Sequence, residues 1–197
     1  MAVITDITQL DLSETYTYVD TLDWHFKEYV ELIRGWVFVK PTPLTMHQQC
    51  LGNLAGEIGR YCKHKPYQAW MGPLDVRLAG ALLADSQITT VVQPDLFVLH
   101  DRRKMDEFGC VGAPDWIIEI VTPGTVNHDI KTKYDLYAES GVAEYWIVYP
   151  GEQSIAVFVL QDGEYQTVGE YYEPGLIPSH TLPALQLEWA DVFYGVE

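Results

Sequence analysis

Two acidic residues interrupt segments of the chain that are otherwise almost entirely apolar. Glu119 is the one charged residue in WIIEIV, and Asp95 follows a proline within VVQPDLFVL. Carboxylates are seldom left inside a central strand without a cation, a hydrogen-bond donor or a metal ion as partner. If the two strands are neighbours, both can bind one divalent cation, since Mg²⁺ prefers one or two carboxylates, carbonyl oxygen and water. The pattern therefore predicts a shared site for a divalent cation.

Two lysines follow Glu119 on a predicted helix that packs back over the end of the strand. Lys131 and Lys133 lie on different faces of such a helix because its period is about 3.6 residues. A purely structural explanation stays open for each charged residue. A Pro-Asp pair often marks only a turn, and a buried Glu can pair with Lys for structural reasons. Asp129 and Lys133, at positions i and i+4, can also form a modest surface pair.

The elements that must position these side chains can be predicted from hydrophobic periodicity. Residues 29–41 indicate a strand with a bend at Gly35, and Glu31 lies near its start. Helical spacing from Met46 to His64 predicts a long helix that ends before Pro66. Short apolar segments predict strands within 69–79, 91–100 and 113–121.

The second half of the chain adds a crossover unit. Asn127 or Asp129 can cap a helix that runs to Ala138, with Gly141 as its C-terminal stop. Strands are predicted at 144–149 and 154–160, so the order strand, helix, strand favours a right-handed crossover and local parallel pairing. We therefore expect an α/β fold with a mixed sheet and helices packed against it.

Composition limits the class of protein. The 197 residues are 48% hydrophobic and 20% charged, which suits one domain over 1–197, with an uncertain boundary for an N-terminal extension over 1–25. Neither a membrane span nor a signal peptide is indicated, so we expect a cytoplasmic protein. Three cysteines without a CxxC pair predict reduced, packed thiols.

Charge is unevenly distributed along the chain. The formal net charge is −16, all 12 basic residues lie at or before Lys133, and residues 134–197 contain 11 acidic residues. This balance argues against avid, non-specific nucleic-acid binding, and any DNA affinity should be weak and strongly salt dependent. The basic residues that could contact phosphates form three clusters: Arg60, Lys63 and Lys65; Arg102, Arg103 and Lys104; Lys131 and Lys133.

Several motifs together carry a family resemblance. ELIRG, His47 after PTPLTM, QPD, GAPDWIIEIVTPGT and DIKTKYDLYAESGVAEYWIV follow one another from about residue 29 onward, and the block 112–148 is the most specific. This order resembles the Uma2 family, formerly a domain of unknown function, in the PD-(D/E)XK superfamily. The resemblance implies a restriction-endonuclease-like core, a mixed central β-sheet flanked by helices and additional C-terminal strands.

The resemblance also implies roles for particular residues. Asp95 and Glu119 match the signature acidic residues, and the carbonyl of Ile120 can supply a further metal ligand. The simplest form of the motif has a lysine two positions after the Glu, but this chain has Val121 there. Lys133 is then the candidate for a lysine that has moved to the helix.

The resemblance also involves three further positions. Lys131 is the second choice for the lysine, and Glu31 matches an N-terminal acidic residue that such nucleases bring to the metal. His47 matches a recurrent family position, and its role stays open.

Three functions remain to be distinguished. The first is a Mg²⁺-dependent endonuclease, with Mn²⁺ as a possible substitute, that cleaves DNA and forms a homodimer. The aromatic C-terminal segments are explained by a strand-rich extension of the core, and a dimer surface is the second interpretation of them. The second is a non-catalytic binding or regulatory protein that retains the nuclease fold, which the charge of −16 and Val121 favour. The third is a metal-dependent hydrolase that acts on another phosphate ester.

Overall fold

Strands make up most of the regular structure. The structure is a computed structural model and describes residues 3–80, 83–121 and 128–196, with side chains from residue 131 in the last range. Its strands are β1 (Val30–Ile33), β2 (Trp36–Val39), β3 (Gln68–Met71), β4 (Asp75–Arg77), β5 (Val91–Val92), β6 (Leu96–Leu99), β7 (Met105–Asp106), β8 (Gly109–Val111), β9 (Trp116–Ile120), β10 (Glu144–Tyr149), β11 (Ser154–Gln161), β12 (Glu164–Tyr171), β13 (Leu176–Pro178) and β14 (Gln186–Glu188). The α-helices are α1 (Tyr18–Thr21), α2 (Thr45–Cys62), α3 (His128–Ser140) and α4 (Trp189–Val192).

The strands form two six-stranded mixed sheets and one small C-terminal sheet. The main sheet has the order β12-β11-β10-β9-β6-β3, and the second sheet has the order β2-β1-β5-β4-β8-β7. Strands β9 and β10 are parallel in the main sheet, and β4 and β8 are parallel in the second. The predicted α/β class with mixed sheets, flanking helices and additional C-terminal strands is confirmed, and the strands divide over two sheets.

The β9-α3-β10 unit forms the predicted crossover. The parallel register aligns Glu144 with Trp116, and Gly141 ends α3 with φ of +84°. A positive φ suits glycine, which has no Cβ to clash with the backbone. Asn127 and the side chain of Asp129, the two expected capping groups, lie outside the described residues.

Helices α2 and α3 cover opposite faces of the main sheet. The buried face of α2, which carries Cys50, Leu54 and Ile58, packs against Trp116 and Trp146. On the other face, Leu136 and Tyr137 of α3 belong to a second cluster that also includes residues of the second sheet. Strand β9 is buried along its whole length because it lies between these two layers. The three cysteines are free and buried, as predicted.

Three segments that were each expected to form one strand are interrupted. Residues 29–41 form a hairpin of β1 and β2, with Arg34 and Gly35 at φ of +52° and +87° in its turn. Residues 69–79 and 91–100 each contribute one strand to the main sheet and one to the second sheet. The breaks fall at Pro73 and Pro94, because proline has no N–H for a strand ladder.

The N-terminal segment packs on the second sheet. Tyr18 is buried in a small cluster with Leu32, Ile88 and Val91. Within the described ranges, none of the helices has the combination of length and apolar character that crossing a membrane requires.

Candidate active site

Glu119 lies on β9, and Asp95 immediately precedes β6, the antiparallel neighbour of β9. Strand β6 pairs with β9 so that Leu96 is opposite Ile118, and one further step of this register brings Asp95 opposite Glu119. Directly opposite residues project to the same face of a sheet, with Cβ atoms about 4.5–5.5 Å apart. The two carboxylates expected to share a cation are therefore neighbours at one end of the central strand pair.

Lys133 lies between two carboxylates. Its Nζ donates to Oε1 of Glu119 and to Oε1 of Glu31, at 2.9 Å in each case. Tyr137, one helical turn further along α3, donates its hydroxyl to the same Oε1 of Glu119 at 2.6 Å. All four side chains are buried. The charge within WIIEIV thus has a cationic partner on the helix that returns over the strand.

The charges of Glu31, Glu119 and Lys133 depend on one another. Burial raises the pKa of Glu119, and the positive charge of Lys133 only partly offsets that rise. Burial by itself lowers the pKa of Lys133, but the negative charges of Glu119 and Glu31 outweigh it and hold the pKa above its ordinary value. Lys133 is therefore a cation at neutral pH.

Asp95 has a different set of partners. Its Oδ2 accepts hydrogen bonds from the backbone N–H of Ile120 at 2.8 Å and from Nε2 of His47 at 3.0 Å. Its Oδ1 lies 3.5 Å from Nζ of Lys40. Burial raises the pKa of Asp95, but the hydrogen bond from His47 and the charge of Lys40 outweigh burial and lower the pKa to about 2. Asp95 is therefore ionised throughout the physiological range.

Glu31 connects the second sheet to this group. Besides the bond from Lys133, its Oε1 accepts the backbone N–H of Gln93 at 2.8 Å and lies 3.9 Å from Nζ of Lys40. The hairpin places Lys40 two residues beyond Phe38, which pairs with Glu31, so Lys40 and Glu31 project to the same face. Three carboxylates and two lysines thus occupy one region: Glu31, Asp95, Glu119, Lys40 and Lys133.

These side chains line a cleft of about 580 Å³ between the two sheets and the N-terminal end of α2. The charged residues of its described lining are Glu31, Lys40, Asp95, Glu119 and Lys133. Buried Nδ1 of His47, Oε1 of Gln93 and the hydroxyl of Tyr145, all on lining residues, have no hydrogen-bond partner among the described residues. Buried polar atoms in proteins are rarely left unpaired, so water or a bound ligand is the expected partner of these atoms.

The structure brings most of the expected site together. Asp95, Glu119, Lys133 and Glu31 all line the cleft, and the backbone of Ile120 contacts Asp95. Lys131 is exposed and takes no part in this cluster. Because Lys133 is buried between two other carboxylates, a surface pair with Asp129, whose side chain lies outside the described residues, does not account for its position.

Lys40, His47 and Tyr137 add contacts that the sequence did not assign to the site. Lys40 was missed because residues 29–41 were interpreted as one strand rather than as a hairpin. Its signal was available, since a hairpin centred on Arg34-Gly35 brings Lys40 back beside Glu31. Tyr137 lies four residues after Lys133 and therefore on the same helical face, which is the signal in the sequence that indicates its place near Glu119.

Two of the three basic clusters lie far from the cleft. The guanidinium of Arg102 donates to the carbonyl of Lys65 at 3.3 Å, which joins two clusters at the C-terminal end of α2. His47, at the other end of α2, contacts Asp95. A helix rises about 1.5 Å per residue, so Lys63 lies roughly 24 Å from His47 along the helix axis. These two clusters do not reach a phosphate bound at Glu31, Asp95 and Glu119, which are called the acidic group below.

The donor set suits magnesium better than zinc. Across residues 3–80, 83–121 and 128–196, no group of three or more His, Cys, Asp and Glu side chains is arranged to hold a metal ion. Zinc commonly takes three or four protein ligands, whereas Mg²⁺ binds through one or two carboxylates and keeps several waters. Two neighbouring carboxylates, Asp95 and Glu119, are donors of the kind that Mg²⁺ accepts.

The strand order and the core define a mixed α/β protein with helices packed on both faces of its main sheet. The chain belongs to the Uma2 family, whose model, described as "Putative restriction endonuclease", matches residues 20–190. The resemblance inferred from the sequence motifs is thereby confirmed.

A solved structure has a similar fold. It comes from Anabaena variabilis ATCC 29413 and is described as "a putative nuclease belonging to DUF820". It superimposes with a TM-score of 0.67 at 24% sequence identity, over 85% of this chain and 90% of that chain. No curated protein matches the chain.

Proposed function

We propose that this protein is a metal-dependent endonuclease that hydrolyses phosphodiester bonds in DNA, with Mg²⁺ as its metal and Mn²⁺ as a possible substitute. The observation that carries the proposal is the meeting of Asp95, Glu119 and Lys133 at the end of the β6-β9 pair, within one cleft. Membership of the Uma2 family supports it.

The residues of the cleft would have separate roles in the reaction. Asp95 and Glu119, with the carbonyl of Ile120, would hold the cation, and Glu31 would complete the polar surroundings. A divalent cation in such a site lowers the pKa of bound water and polarises a phosphate oxygen. Lys133 would orient the attacking water and stabilise the negative charge that develops on the phosphate.

Lys40 would contact the substrate in this proposal. It is the more exposed of the two cleft lysines, with 22% of its side chain accessible against 11% for Lys133. Its ammonium can therefore contact an entering phosphate while it remains near Asp95. Because the described lining of the cleft contains two lysines and no arginine, we expect weak DNA affinity with a strong salt dependence.

The alternative is a non-catalytic binding or regulatory protein. The ion pairs of Lys133 with both Glu31 and Glu119 favour it, because these contacts stabilise the fold without any metal. A metal titration separates the two functions, since the alternative needs no Mn²⁺ affinity.

The experiment that tests the proposal combines cleavage with metal binding. Purified wild-type protein, Asp95→Ala and Glu119→Ala are incubated with Mg²⁺ or Mn²⁺ and labelled DNA. We expect both variants to remain folded by circular dichroism and to lose metal-dependent cleavage. Retained cleavage in either purified variant would refute these assignments.

A matched control removes an acid outside the cleft. Glu139→Gln affects a carboxylate whose side chain is 61% exposed and pairs with Arg34, so cleavage should be unchanged. Wild-type protein that neither binds Mn²⁺ nor cleaves DNA would favour the non-catalytic alternative. A homodimer and a cytoplasmic location stay predictions, and sedimentation velocity tests the first.

A further inference from the structure

We propose that the cleft accepts an unpaired DNA strand, with a nucleobase seated against its apolar mouth, rather than an intact duplex. The inference rests on the proposed function because the scissile phosphate would lie at the same acidic group. It goes further in naming the form of the substrate.

The mouth of the cleft is built from exposed apolar side chains. Tyr29, Val39 and Met71 line it, and they are 54%, 51% and 52% exposed, respectively. Large apolar side chains that remain exposed around a cleft indicate a contact surface for a ligand. Bases bind to aromatic side chains by stacking, and this interaction is available only to a base that has left the duplex stack.

The mouth has two sides that come from different sheets. Tyr29 precedes β1 and Val39 ends β2, so both belong to the hairpin of the second sheet. Met71 ends β3, the edge strand of the main sheet, and Pro73 follows it. The acidic residues of the cleft also come from both sheets, since Glu31 lies on β1 and Glu119 on β9. A DNA strand that passes between the two sides can place a base on the apolar residues and its phosphate at the acidic group.

Charge disfavours a duplex. A protein that binds the backbone of a double helix usually neutralises several phosphates with Lys and Arg. Within the described lining of the cleft, the basic side chains that can do this are Lys40 and Lys133, and Lys133 already pairs with two acids. The clusters around Lys65 and Arg102 lie at the far end of α2. Apolar contacts therefore have to supply much of the affinity, and they need exposed bases.

The size of the cleft agrees with this substrate. Small-molecule sites have volumes of about 300–1,000 Å³, and the cleft of about 580 Å³ falls in that range. A duplex is too wide to enter a pocket of this kind. One or two nucleotides of a separated strand match it.

The test measures binding separately from cleavage. The Glu119→Gln variant with Mn²⁺ is titrated against a fluorescent single-stranded oligonucleotide and against its blunt duplex, at one salt concentration. We expect the single strand to bind at least about tenfold more tightly than the duplex. In the same background, Tyr29→Ala should weaken single-strand binding about tenfold, since one stacked base contributes roughly that factor.

Two variants serve as controls. Tyr29→Phe keeps the aromatic ring and should bind as the parent does. Tyr172→Ala removes a tyrosine that is 62% exposed and lies outside the described lining of the cleft, so binding should not change. Equal or tighter binding of the duplex, an equal effect of Tyr29→Ala and Tyr172→Ala, or no binding to either DNA would overturn the inference.

Cleavage by the wild-type protein separates this inference from the proposed function. Preferred binding of the single strand without any cleavage contradicts the proposed function and leaves the inference standing. Cleavage of the duplex as fast as of the single strand contradicts the inference and leaves the proposed function standing.

Discussion

His47 and Asp95 form a buried hydrogen bond of 3.0 Å between Nε2 of the imidazole and Oδ2 of the carboxylate. The two residues lie 48 positions apart, one near the start of α2 and the other immediately before β6. An ionised carboxylate only accepts hydrogen bonds, so Nε2 must carry the hydrogen. His47 therefore holds one oxygen of Asp95 in place and leaves Oδ1 toward Lys40 and the cleft.

Removal of His47 should weaken metal binding without removing a ligand. Partners that orient a metal ligand typically contribute about 10–100-fold to metal affinity, so we expect His47→Ala to raise the Kd for Mn²⁺ within that range. Isothermal titration calorimetry measures the change. His25→Ala is the matched control because His25 is exposed and lies outside the described lining of the cleft. Equal Mn²⁺ affinity in the two variants would contradict an orienting role for His47.

Lys133 should be important for folding in the absence of metal. Lys133→Met leaves Glu31 and Glu119 buried without their shared cation, and breaking a buried ion pair in this way costs about 3–5 kcal/mol. We expect urea denaturation of the metal-free protein to report a loss of free energy of unfolding near the lower value, because Lys40 remains 3.9 Å from Glu31.

Two further variants define the cause of that loss. Lys131→Met, on the exposed side of α3, should change the free energy of unfolding by less than about 0.5 kcal/mol. The double variant Lys133→Met/Glu119→Gln should recover part of the stability, since it removes one uncompensated charge. A double variant less stable than Lys133→Met would argue against the electrostatic explanation.

Acid should destabilise the metal-free protein partly through Asp95. The folded pKa of Asp95 is lowered from 3.8 to about 2, so its ionised form stabilises the fold. This contribution, about 2 kcal/mol by linkage, is fully present above the unfolded pKa and is lost as the pH falls from about 4 toward 2.

The corresponding measurement is urea denaturation of wild type and Asp95→Asn at several pH values between 5 and 3, with a chelator present. The difference in free energy of unfolding between the two proteins should shrink as the pH falls. Asp135→Asn, at an exposed position of α3, should run parallel to wild type. A difference that stays constant or grows with acid would show that Asp95 is not the stabilising acid.

The sequence predicted the central part of the site because its signal is local. Glu119 within WIIEIV and the helical period around Lys133 depend on neighbours in the chain, and the structure places both as these patterns indicated. The crossover from β9 through α3 to β10 follows from the same periodicity. Such features need no knowledge of distant contacts.

The parts that the sequence did not predict depend on contacts between distant segments. A break at Pro94 is visible in the sequence, but its consequence, the passage of the chain from one sheet to the other, depends on strand pairing. Pairing also decides that Lys40 returns to Glu31. The contact of His47 with Asp95 requires the position of α2 against the main sheet, which periodicity does not provide.

Glu144 supplies a last prediction, on stability rather than activity. This fully buried carboxylate at the start of β10 accepts four hydrogen bonds, from Nε1 of Trp146, Oγ of Ser179 and the backbone N–H groups of His180 and Thr181. It thereby attaches the segment after β13 to the main sheet. Glu144→Ala leaves these donors without an acceptor, and an unpaired buried donor costs about 1–3 kcal/mol. We expect a loss of roughly 3 kcal/mol in the free energy of unfolding measured by urea denaturation, against almost none for exposed Glu152→Ala.

The Glu144→Ala variant should keep its affinity for Mn²⁺ while it is folded. Glu144 lies at the Trp116 end of the strand pair and outside the described lining of the cleft. A loss of that affinity under conditions where the variant is still folded would mean that the C-terminal segment also supports the site.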